Sequence, residues 1–139
     1  MMRIAIFFQS CISVYTLAAQ LTPLPSYGFT SEGVIRARAI TAPKPSYPLD
    51  ALRSGTSGVV VAAISLTANG TNVSRVEIVE APSPLLGAAV DKAIRSWHFA
   101  AWEDNSTKVS AKLTFYFVIK GRRGSVFNPS EMPLFGKLN

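Results

Sequence analysis

Among 139 residues there is one cysteine, one histidine and eight acidic side chains. That scarcity removes much chemistry at once. Cys11 lies in the apolar N-terminal run, so the rest of the chain has no thiol for disulfides, nucleophilic catalysis or thiolate metal sites. His98 has no partner spaced to make it a metal ligand or a general base, and it reads as a helix-end residue. Glu103 and Asp104 are neighbours in a polar turn, where acids are ordinarily solvated. No glycine-rich phosphate loop is present. These absences point away from an enzyme and from any cofactor. A run of about 20 apolar residues, which a spanning helix needs, is also lacking.

Charge is sparse but lopsided. Charged residues make up 16% of the chain, and 14 Lys and Arg against 8 Asp and Glu give a formal +6. The basic residues are scattered, apart from Lys120, Arg122 and Arg123, so no stripe marks a nucleic-acid partner.

What is there begins with Met1-Met2-Arg3, the apolar stretch Ile4–Phe8, and small residues at Ala18-Ala19. A basic start, a short apolar run and small residues describe a signal peptide over 1–19, cleaved near Ala19. The lesser alternative keeps the segment as an uncleaved anchor. Residues 20–43, with Pro23, Pro25 and Pro43, show no periodicity and read as a flexible linker.

The remaining chain alternates clear signals. Pro48 suits a helix start, and Gly55 ends the short helix that follows. Gly58–Leu66 alternates Val60, Ala62, Ile64 and Leu66 on one face, as a half-buried strand does. Asn69-Gly70 closes a hairpin onto a return strand over 73–79. Ser83-Pro84 then caps a helix whose Leu86, Ala89, Val90, Ala93, Ile94 and Trp97 form one stripe. Lys108–Lys120 alternates most cleanly, with Val109, Ala111, Leu113, Phe115, Phe117 and Ile119 on one face. Gly121 ends it, and 122–139 reads as a tail. The expected fold is α+β: a three-stranded antiparallel sheet with two helices packed on one face, over 44–121.

The ordered set Tyr47-Pro48, Ala51-Leu52-Arg53, Gly55, Gly58, Asn69-Gly70, Val73-x-x-Val76-x-Ile78, Ala88-Ala89, Arg95 and Trp97-His98-Phe99 resembles the TonB C-terminal domain family of Gram-negative bacteria. The resemblance implies a periplasmic, non-enzymatic role in energy-coupled transport across membranes. The implied partners are an extended segment of an outer-membrane TonB-dependent receptor and an inner-membrane proton-channel complex. It also implies binding by strand addition to the edge of Lys108–Lys120. The site residues it implies are Tyr47, Ser110, Ala111, Lys112, Leu113, Thr114, Phe115 and Tyr116. The alternative is a structural module that forms a homodimer through the same edge. Family transducers carry a membrane anchor and a long proline-rich spacer. Here a signal-like segment and 24 linker residues stand instead, and Lys44 and Ser46 flank the Tyr-Pro region.

Overall fold

The computed structural model describes residues 27–102 and 108–132. The expected signal peptide, the start of the linker at 20–26, the turn at 103–107 and the end of the tail at 133–139 lie outside these residues.

The elements are β1 (Tyr27–Phe29), α1 (Glu32–Ala37), β2 (Ala39–Thr41), α2 (Leu49–Arg53), β3 (Gly58–Leu66), β4 (Val73–Glu80), α3 (Pro84–Arg95), β5 (His98–Phe99), β6 (Lys108–Lys120) and β7 (Arg123–Phe127). The class is α+β, as expected. Its centre is the antiparallel trio β6-β3-β4, with Ala62 opposite Leu113 on one side of β3 and Ile78 on the other.

Alternation decides which face is core. Val60, Ala62, Ile64 and Leu66 of β3 and Val109, Ala111, Leu113, Phe115 and Phe117 of β6 are all buried. Leu86, Val90 and Ile94 of α3 close over them, each at 0% exposure. A fully buried aliphatic or aromatic side chain contributes roughly 1.5–3 kcal/mol. This one-sided layer is therefore the main source of stability. Ser83 caps α3 by accepting the Leu85 N–H at 3.1 Å, and Pro84 occupies the first turn, where its missing donor costs nothing. The hairpin turn holds Gly70 at φ +71°, with the Trp102 ring where a Cβ would sit. A side chain at Gly70 would meet both strain and a clash.

Two expectations are corrected. Residues 27–41, read as linker, form β1, α1 and β2, and Ile35 of α1 is completely buried. Residues 123–127, read as tail, form β7 beside the end of β6. Among the described residues the main sheet thus has five strands rather than three, β2 and β5 make a second small sheet, and there are three helices rather than two. The missed elements are two to six residues long. Such short pieces carry too few repeats for periodicity to show, and they are stabilised by neighbours distant in sequence.

Candidate functional site

Each residue of β6 turns its backbone N–H and C=O to one side of the strand, and successive residues turn to opposite sides. One side is taken by β3 from Gly58↔Phe117 to Ser65↔Ser110. The other, outer side is the expected partner edge.

That outer edge is not open along its length. β1 lies parallel to it over Lys108, Val109 and Ser110, and Thr30 continues the contact by donating its N–H to the Ser110 C=O at 2.9 Å. β7 lies antiparallel to it from Tyr116↔Phe127 to Lys120↔Arg123. Between them is a stretch, Ala111–Phe115, beside which no strand is paired on this side among the described residues. The expectation of a free edge is corrected accordingly: the covers come from the two segments read as linker and tail.

Two side chains of α1 close the middle of the stretch. The Thr114 N–H donates to Glu32 Oε1 at 2.8 Å, and Arg36 Nη2 donates to the Thr114 C=O at 2.8 Å. Glu32 and Arg36 are themselves paired at 2.7 Å, one helical turn apart, with side-chain exposures of 23% and 16%. Arg36 Nη1 also donates to Asn128 Oδ1 at 2.9 Å, just past β7. Its guanidinium lies 4.9 Å from the Phe115 ring centroid and 5.5 Å from that of Trp97, a favourable place for a cation. The carboxylate and the guanidinium stand where the C=O and N–H of a neighbouring strand would stand.

The bonds of Thr114 fix the parity of β6. Ser110, Lys112, Thr114 and Tyr116 turn their backbone groups outward, while Ala111, Leu113 and Phe115 turn theirs to β3 and bury their side chains. Ser110 pairs its hydroxyl with that of Ser65 at 3.2 Å on the sheet face away from α3, and Lys112 is exposed on that face.

Tyr47 is not brought together with this stretch. Its ring meets Phe117 edge-on at 5.3 Å, lies against Gly124 of β7, and its hydroxyl donates to the Thr56 C=O. Burial raises its pKa above the usual tyrosine value. Tyr47 ties the start of α2 to the β6–β7 hairpin. His98 is exposed and bonded to Asn72 Oδ1 at 2.7 Å. No cluster of three or more potential metal ligands occurs among the described residues. Nor is any helix among them long and apolar enough to cross a membrane. A shallow groove of about 520 Å³ between Pro43–Pro48 and α3 is lined largely by alanine and proline, with Lys44 and Lys92 at its margin. It holds no catalytic pair.

Sequence reasoning missed Glu32 and Arg36. The signal was present: Ser31 is a good N-cap, Glu32 opens the helix, and Arg36 follows at the i+4 position that favours an acid–base pair. Gly33 and the shortness of the segment obscured it.

Fold and edge together define an α+β domain built around one long strand. The description Gram-negative bacterial TonB protein C-terminal matches residues 43–119, more than half the chain. The protein belongs to the TonB C-terminal family. The solved solution structure of the Pseudomonas aeruginosa TonB C-terminal domain is similar in fold, with a TM-score of 0.50 and 24% identity, covering 62% of this chain and 89% of that one. Among curated proteins no match was found.

Proposed function

We propose that the protein is an exported, periplasmic binding domain. It accepts an extended segment of an outer-membrane TonB-dependent receptor and takes part in energy-coupled transport. The carrying observation is the outer edge of β6, where, among the described residues, Ala111–Phe115 has no strand beside it and the flanking covers are short. Backbone groups of Ser110, Lys112 and Thr114 supply the hydrogen bonds, Tyr116 bounds the site where β7 begins to pair, and Ala111, Leu113 and Phe115 anchor the strand in the core. Tyr47 acts at a distance, holding the β6–β7 hairpin that bounds the site. Family membership supports this reading, and no catalytic role is proposed.

The test is titration of the full chain with synthetic peptides from the periplasmic N-termini of TonB-dependent receptors of the same organism. At least one peptide binds, and Lys112→Pro, which removes one outward N–H, weakens it about tenfold while the fold persists. If no peptide binds at millimolar concentration, the reading is wrong.

A specific observation supports a second reading, a homodimer formed through β4 instead of the β6 edge expected from the sequence. β4 is the last strand on its side of the sheet, so its outer edge is unpaired among the described residues. A two-fold antiparallel pairing centred on Val76 would set Arg75 opposite Glu77 of the second copy, twice. Light scattering would then show a concentration-dependent dimer that Arg75→Glu abolishes. A monomer at every concentration excludes it.

A further inference from the structure

The segments that cover the outer edge of β6 share one property. The family match begins at residue 43 and ends at residue 119, so β1 and α1 precede it and β7 follows it. The long strand belongs to the family domain. What lies along its outer side is supplied from outside that domain by the same chain.

The N-terminal cover imitates a bound strand. β1 gives three residues of parallel pairing, and Thr30 extends it by one bond to Ser110. The chain then leaves the edge and coils into α1, yet Glu32 and Arg36 reach back and satisfy both backbone groups of Thr114. A buried or half-buried N–H and C=O must be paired, and side chains serve where no backbone is at hand. The cover is also slight. Phe29 is 81% exposed and Val34 46% exposed, so one apolar side chain of each element remains in water. Ile35 is the main anchor in the core.

We infer that β1 and α1 are a releasable occupant of the partner edge, and that a receptor segment docks on β6 only by taking their place. This rests on the reading of β6 as the receptor-binding strand. The incoming segment is extended, bonds to the outward groups of Ser110, Lys112 and Thr114, and brings an aliphatic side chain to fill the space left by Ile35. The occupant sets a threshold: only the fraction of molecules with β1–α1 released is competent, and apparent affinity falls by that fraction. A cover made partly of side chains suits this role. It satisfies Thr114 while it is present and leaves the strand itself unchanged when it goes.

The experiment locks the cover in place. In full-length protein with Cys11→Ser, the pair Phe29→Cys and Ser110→Cys joins two residues that lie opposite each other in the parallel register. Facing positions of this kind fall in the range that a disulfide spans. Oxidised and reduced forms of one preparation are compared for binding the receptor peptides described above. The oxidised form binds at least about tenfold more weakly, and reductant restores the binding. In parallel, Glu32→Ala with Arg36→Ala tightens binding about tenfold, as a larger released fraction requires. Equal binding by oxidised and reduced forms overturns the inference and leaves the receptor reading intact. If no form binds any peptide, the receptor reading fails, and hydrogen exchange decides whether the cover is releasable. Release predicts that the Thr114 amide of wild type, bonded to Glu32, exchanges through a local opening, faster than the β3-bonded amides of Leu113 and Phe115. Exchange of all three at one rate overturns it.

Discussion

Trp97 concentrates more of the fold than any other side chain. Its ring lies 6.0 Å from Phe115 and 6.1 Å from Phe99, centroid to centroid, and its Nε1–H donates to the Pro43 C=O at 3.0 Å. It therefore joins α3, β5, β6 and the approach to α2. Trp97→Ala should cost about 3–5 kcal/mol, read as a fall in the denaturant midpoint, and an unchanged midpoint would contradict a core role. Glu131 offers a pH test. Its carboxylate accepts the Asn128 N–H at 3.0 Å and meets the Lys44 ammonium at 2.7 Å. These contacts, the backbone bond foremost, lower its pKa below the usual glutamate value. A depressed carboxylate stabilises the fold above its unfolded pKa, about 4.3, and that contribution is lost as pH falls through the lower folded value. Both side chains are substantially exposed, at 49% and 39%, so the effect is small, within about 1 kcal/mol. An NMR titration following the Asn128 amide should show a midpoint below 4.3; one at or above it would exclude the lowered value.

At the scale of elements, β6 is the informative strand. Its residues alternate in which neighbour their backbone serves, so proline substitutions should divide by parity. Leu113→Pro removes a bond to β3 in the middle of the sheet and should leave the domain unfolded by circular dichroism. Lys112→Pro removes an outward N–H in the stretch between β1 and β7 and should stay folded. Equal loss of structure in the two variants would show that Lys112 does not face outward. The β6–β7 hairpin has its own constraint. Gly124 is opposite Ile119, and an added Cβ would fall 2.4 Å from the Tyr47 ring. The glycine lets that ring lie close against the strand, so Tyr47 locks the hairpin to α2.

For the whole molecule, the early start of the ordered domain changes its reach. If cleavage occurs near Ala19, only Gln20–Ser26 separates the new N-terminus from β1. Seven extended residues span at most about 25 Å. On the proposed reading, a chain so cleaved would act as a diffusible periplasmic domain rather than as a tether between two membranes. The expected outcome is a soluble periplasmic species whose intact mass corresponds to an N-terminus near Gln20. Recovery of the full-length mass from the inner membrane alone would replace this with an anchored form.

The central part of the fold was legible without coordinates. Alternation over nine residues in β3 and thirteen in β6, the Asn69-Gly70 turn and the Ser83-Pro84 cap are local signals. Each reports the structure of the residues that carry it, because period and turn chemistry act over a few bonds. They determined two of the three described helices, three of the described strands and the identity of the core face. Tertiary structure alone decided what lies along the outer side of β6. A strand of three residues or a helix of six does not persist by itself, so its sequence need not announce it. β1 exists because Lys108–Ser110 offers it an edge, α1 because Ile35 has a core to enter, and β7 because Tyr116–Lys120 is there to pair with. Glu32 and Arg36 meet Thr114 across about eighty residues of sequence, and only the folded chain brings them to its backbone.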